Sequence, residues 1–167
     1  MSQIFQKFLE DSENSRLREQ IVEYKFLSDL LLSFASKGIK LEIQRSEHDS
    51  FGYDIVLKIG EEIRFVQMKA KLGSGSTPRW TIHKSLIQNP FGTVIVAYLY
   101  YYDDKLELQY RGLPFDKKDK VFNQAHNKIK DSSKEKYCNL NENDLVKLNS
   151  IDEVLSFLFK NIYTKEK

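Results

Sequence analysis

"HDSFGYDIVLKIGEEIRFVQMKAK", residues 48–71, decides how this chain is read. Gly52 precedes Asp54, and two alternating runs, "YDIVLKIG" and "EIRFVQMKA", flank Gly60-Glu61 as the arms of a hairpin would. Strand side chains alternate, so Ile63, Phe65, Gln67 and Lys69 share one face of the second arm, and Arg64, Val66 and Met68 share the other. An amide and an ammonium therefore sit among hydrophobes. Water-loving groups on an otherwise apolar face ask for a partner or a task.

The elements on either side set the context. Ile4, Phe5, Phe8 and Leu9 give residues 2–10 the pattern of a short amphipathic helix, and "DSEN" supplies start residues for a longer one from Ser15 to Lys37. Leu27, Leu30, Leu31 and Phe34 recur at the spacing of one buried face, and Gly38 is placed to end that helix. "IKLEIQR" then alternates from Ile39 to Arg45 as a first strand. After the hairpin, "LGSGSTP" reads as a loop, while "IHKSLIQNP" fits a short helix or a strand. "VIVAYLYYY", from Val94 to Tyr102, reads as a buried strand and is too short to span a membrane. An Asp103-Asp104 turn leads to its hairpin partner, "KLELQY".

From Arg111 to Lys136 the chain is polar and lysine-rich, which predicts a long loop or extended arm, with a helical turn around Val121–Ile129 as an option. In the closing segment Asp152 is the expected N-cap, and Ile151, Val154, Leu155, Leu158 and Phe159 lie on one helical face. The pattern thus predicts one domain, an α/β or α+β sandwich around a mixed central sheet flanked by helices, with α/β the preferred class. Its core covers about residues 15–110, its lysine-rich loop about 111–136 and its C-terminal helix about 151–162.

Composition narrows the function classes. The chain's 167 residues suffice for one domain and its core, and 41% hydrophobic with 30% charged residues is ordinary for a globular protein. A formal net charge of +2 selects no partner, so nucleic-acid binding would need a local basic face. Cys138 is the sole cysteine, which excludes an intramolecular disulfide and a CxxC knuckle, and His48, His83 and His126 are well apart. "MSQIFQKFLEDSENSR" lacks the basic flank and apolar core of a signal peptide. A cytoplasmic protein that does not enter membranes is the expectation.

Glu23 lies four residues before Leu27 and eleven before Phe34, on the apolar stripe of the long helix, with Glu19 one turn further out. A helix carboxylate, a strand carboxylate at Asp54 and the amide oxygen of Gln67 can together ligate a hard cation whose remaining positions hold water. Lys69 would stand beside it, bonding a water or offsetting charge on a phosphoryl oxygen.

Glu23, Asp54 in "GYDIVL" and "QMK" at 67–69 resemble the active-site signature of the PD-(D/E)XK nucleases, the superfamily of restriction endonucleases and Holliday-junction resolvases. The likeness covers roughly residues 15–102 and extends to the αβββαβ order of that core. It implies a restriction endonuclease-like fold and a DNA endonuclease dependent on Mg²⁺ or Mn²⁺, with a place in restriction or phage defence. It further implies that Glu23, Asp54, Gln67 and the backbone carbonyl of Met68 hold the metal, and that Lys69 is the catalytic lysine. Two positions depart from the pattern. Gln67 stands where an acid is commonest, which removes a negative charge, and Tyr53 replaces the proline that often precedes the aspartate.

Arg45, Ser74, Arg79 and His83 are the candidate substrate-binding residues. "GSGS" lacks the ending of a P-loop, so nucleotide binding is not read from it. The bland readings stand beside these. Asp54 could start a strand, Lys69 could guard a sheet edge, and Glu23 could pair with Lys69 or Arg45. The lysines after Arg111 are interleaved with Asp116, Asp119, Asp131 and Glu135, as in a solvated loop. The rival functions are a catalytically silent member of the fold that binds nucleic acid or a protein, and an interaction protein whose strands and tyrosines form a homodimer interface.

Overall fold

The computed structural model describes residues 2–46, 51–73, 79–102, 105–124 and 136–160. His48, Ser74, the Asp103-Asp104 turn, His126 and the acidic residues Asp131 and Glu135 lie outside the described residues. Along the chain come α1 (Ser2–Glu10), α2 (Ser15–Ser36), β1 (Glu42–Arg45), β2 (Ile55–Ile59), β3 (Glu62–Leu72), β4 (Arg79–His83), α3 (Lys84–Gln88) and β5 (Gly92–Tyr102). Then follow β6 (Lys105–Gly112), α4 (Lys118–Asn123), β7 (Tyr137–Asn141), β8 (Val146–Leu148) and α5 (Ile151–Leu158). Among the described residues the strands form a mixed six-stranded sheet, β1-β2-β3-β5-β6-β8, and a separate β4–β7 pair. The fold is α/β, as the pattern predicts.

The sheet is buried on both faces. Ile95, Ala97 and Leu99 of β5 join a core with Val22, Phe26, Leu30 and Phe34 of α2 and Val154, Leu155 and Leu158 of α5. Val94, Val96 and Tyr98 face the other way, onto Trp80, Ile82, Leu86, Val121, Cys138 and Leu140. A strand covered on both sides must be apolar at every position, which is why this run shows no alternation. β3 and β5 run parallel, from Phe65 opposite Gly92 to Leu72 opposite Leu99, and their other neighbours are antiparallel.

Several boundaries move, each for a local reason. β1 starts at Glu42 rather than Ile39, because the Ile39 amide bonds the Phe34 carbonyl to close α2. The buried arc of α2 runs from Val22 to Leu27, and Leu31, about 40° past Leu27 at 100° per residue, is 44% exposed. "IHKSLIQNP" is both alternatives in sequence, with β4 ending at His83 and α3 beginning at Lys84. The N-cap of α5 is Ser150, not Asp152, since its extended backbone lets its hydroxyl accept from the Glu153 amide. Asp152 instead pairs with Lys37 of the α2 C-cap. α5 ends at Leu158 with Phe159 as its C-cap, and residues 161–162 of the expected span lie outside the described residues.

The segment after Arg111 holds more structure than its composition predicts. β6 continues to Gly112, α4 begins at Lys118, and β7 and β8 were not legible at all. Polar interactions organise this region. The ammonium of Lys118, itself buried, donates to the carbonyls of Asn89 and Gly92, and burial lowers its pKa to about 8. Asp144 is buried and accepts from Lys120 at 2.9 Å, from the Asn141 amide at 3.1 Å and from Gln124 at 3.2 Å. Burial, the largest influence, pushes its carboxyl up, but these hydrogen bonds together hold it below the usual value.

Because the folded-state pKa of Asp144 is depressed, its contribution is present above the ordinary carboxylate pKa and is lost as pH falls through the folded value. We expect Asp144→Ala to cost about 1.5–3 kcal/mol at neutral pH, the scale for hydrogen bonds to a charged group. Urea unfolding of both proteins at neutral and acid pH should show the gap shrinking below about pH 4. A gap independent of pH would remove the charge from this account.

Candidate functional site

The site is created where two strands part. β2 ends its pairing at Ile55, opposite Val66, while β3 runs on to Leu72. The Asp54 amide still bonds the Val66 carbonyl at 3.0 Å, the last rung on that side. At the next rung the Asp54 carboxylate replaces a strand carbonyl, its Oδ2 accepting the Met68 amide at 2.7 Å. Beyond it, among the described residues, β3 pairs with β5 alone. Strand residues turn amide and carbonyl to the same side, so the Met68 carbonyl looks along this open edge.

A cleft of about 690 Å³ lies there, with Glu19, Glu23, Tyr24, Arg45, Asp54, Met68, Lys69 and Trp80 among its lining residues. α2 supplies the glutamates. Glu19 and Glu23 sit within the helix's inward arc, but at the end where the sheet opens, so they meet the cleft instead of the core. The Glu23 side chain is 24% exposed, and its Oε1 accepts from Arg45 Nη2 at 2.5 Å. Arg45 also lies over the Tyr24 ring, 4.6 Å from its centroid, and donates to its hydroxyl at 3.4 Å. The Tyr24 hydrogen bond, and after it the one from Glu23, raise the pKa of Arg45 further. Lys69 has no ion-pair partner among the described residues.

The residues singled out in the sequence divide. Glu23, Arg45, Asp54, Met68 and Lys69 come together in the cleft. Gln67 is 5% exposed, does not line the cleft, and its Oε1 has no hydrogen-bond partner among the described residues. Arg79 is exposed on β4 opposite Asn141, away from the cleft, although its neighbour Trp80 lines it. His83 is also apart. Its Nδ1 accepts from the Ser85 amide to cap α3, and its ring meets Tyr137 edge-on at 5.2 Å. Its side chain leaves no room for a Cβ on Gly52, which takes a positive φ of 75° just before Tyr53 and Asp54. Ser74 is outside the described residues.

Tyr24, Gln20 and Trp80 line the cleft without having been singled out. Tyr24 carried a signal, since it adjoins Glu23 in the sequence. Trp80 carried none, because only the β4–β7 pair brings it over β3.

As a cation site this is a set of hard oxygens. Among the described residues no three of His, Cys, Asp and Glu are grouped, so the carboxylates of Glu23 and Asp54 need amide or carbonyl help. The Met68 carbonyl and the orphaned Gln67 Oε1 are of that kind. A buried oxygen with no partner is what a cation or its bound water would satisfy. The cleft's own oxygens, the Glu23 and Asp54 carboxylates and the Met68 carbonyl, are of the kind a Mg²⁺-type ion takes, whereas Gln67 does not line the cleft.

No protein-family profile matches the chain, and a search of curated proteins also finds no match.

The two roles of Asp54 can be separated. Asp54→Asn retains an oxygen for the Met68 amide, whereas Asp54→Ala leaves that N–H bare. We expect the alanine variant to be less stable than the asparagine variant by about 1 kcal/mol in urea unfolding, the scale of one hydrogen bond at a part-buried donor. Equal stabilities would show that the Met68 bond carries no weight.

Proposed function

We propose that the chain is a divalent-metal-dependent nuclease of the PD-(D/E)XK type, cutting DNA in the cleft between α2 and the open edge of β3. The observation that carries this reading is the gathering of Glu23, Asp54, Met68 and Lys69 in one cleft. The order α2-β1-β2-β3, then α3 and β5, supports a restriction endonuclease-like core, with β4 inserted before α3. None of the described helices is long and apolar enough to cross a membrane.

In this reading Glu23, Asp54, Gln67 and the Met68 carbonyl hold Mg²⁺ or Mn²⁺. When bound, such an ion lowers the pKa of water and offsets charge on a phosphoryl oxygen. The residues of the chain do the positioning. The bond from the Met68 amide fixes the Asp54 carboxylate at the fork between the strands, so its orientation is set by the fold. Lys69, on the adjacent residue and without an ion pair, bonds the attacking water or the non-bridging oxygen, where negative charge grows as the new P–O bond forms. Asp54→Asn should lose metal binding in calorimetry while remaining folded.

A second reading rests on Gln67 and on the Arg45–Glu23 pair. A site with a neutral amide and an occupied glutamate also suits a silent member of the fold that binds nucleic acid or protein. Lys69→Met separates the two. An enzyme should lose cleavage by orders of magnitude while keeping its DNA affinity within about threefold, since a long polyanion is held by many scattered cations and the developing charge sits at one place. The assay is cleavage and binding of single- and double-stranded DNA and RNA with Mg²⁺ or Mn²⁺. A wild-type protein that binds DNA but cuts none of these would leave the binding-module reading.

A further inference from the structure

We propose that Arg45 is the resident counter-ion of Glu23, and that a divalent cation entering the cleft displaces its guanidinium. The inference rests on the metal-site reading above and concerns how that site is filled. Glu23 Oε1 is taken by Arg45 Nη2 at 2.5 Å, so a cation using that oxygen must break the bond or share the oxygen with a positive charge. Sharing is opposed by repulsion between the guanidinium and the ion at close range. The rest of the cleft makes the competition matter. Its acids are Glu19, Glu23 and Asp54, its cations Arg45 and Lys69, and Gln67 contributes no charge. An incoming ion therefore depends on three carboxylates, Glu19, Glu23 and Asp54, for its attraction, and one of them is already paired with Arg45.

The structure also provides somewhere for the guanidinium to go. Arg45 is the last residue of β1, and the next amide, of Ser46, is tied to the Asp54 carbonyl at 2.9 Å, so the backbone at this position is fixed. The side chain is 45% exposed and stacks on Tyr24, itself 55% exposed. The guanidinium can let go of Glu23 and remain on the Tyr24 face by its cation–π contact, 4.6 Å from the ring centroid. Arg45 is thus a positioning residue. In the metal-free protein it holds Glu23 towards the cleft in the orientation an ion would need, and it sets a threshold that the ion must exceed.

The test is calorimetric titration of Mg²⁺ and Mn²⁺ into the wild type, Arg45→Gln, Arg45→Lys and Asp54→Asn, with the arginine side-chain Nε–H signals followed by NMR in the wild type. Removing a half-exposed ion pair should tighten metal binding by about three- to tenfold in Arg45→Gln. Arg45→Lys, which keeps a charge but loses the fork and the ring stacking, should fall between. The Arg45 signal should shift as metal saturates the wild type and not in Asp54→Asn. Metal binding by Arg45→Gln equal to or weaker than wild type would overturn the displacement while leaving the metal site standing. Failure of both the wild type and Arg45→Gln to bind either ion would overturn the metal site and this inference together.

Discussion

The hydrogen bond from the Met68 amide to the Asp54 carboxylate is the constraint on which the site depends. A sheet in which β2 paired with β3 along its whole length would have no cleft. One in which the strands parted without a substitute acceptor would leave a bare amide at the fork. The carboxylate resolves both. It completes one more rung and then stops, so among the described residues β3 continues with an edge that no strand covers. Strand separation and carboxylate placement are therefore a single event. Gly52, turned into the left-handed region against the His83 side chain, sets the chain's entry into it.

The open edge gains its chemistry from opposite sides of the sheet. α2 approaches with Glu19 and Glu23, and β4 brings Trp80 from the other face. β3 lies between and shows both faces at its end, which is how Met68 and Lys69, neighbours pointing to opposite sides, line the same space. Gln67 is on the Lys69 face but is covered, and a buried amide oxygen without a partner costs stability that an apolar residue would not. Local rules are broken in this way mostly where a site demands it. The charges are also matched rather than merely accumulated, since the guanidinium of Arg45 holds one acid and Lys69 is the cleft's cation with no ion pair among the described residues.

The regions furthest from the cleft are organised by buried polar groups. Lys118 bridges the carbonyls of Asn89 and Gly92, fixing α4 beside the turn into β5. Asp144 collects Lys120, Gln124 and the Asn141 amide, fixing the other end of α4 to the end of β7. Through β7 this reaches β4, its hydrogen-bonded partner, and so Trp80. A lysine-rich segment that looks like a solvated arm in fact holds one wall of the cleft.

By itself the sequence determined the α/β class, the two helices before β1, the hairpin at Gly60 and the doubly buried strand β5. Each of these follows from periodicity, glycine placement or a continuous apolar run, all local quantities. It also marked out Glu23, Gln67 and Lys69, because charged or polar groups on apolar faces stand out along a single chain, and Asp54, which follows the Gly52 turn, whereas Met68 entered only through the family resemblance. Only the tertiary structure decided that β7 and β8 exist, since they are only five and three residues long and are held by partners from distant strands. Only it decided that His83 caps a helix, that Arg79 lies away from the cleft, and that Arg45 rather than Lys69 faces Glu23. Those outcomes turn on which side chains meet across separate elements. Alternation places a residue on a face of its own strand, but the element covering that face is chosen by packing of the whole chain.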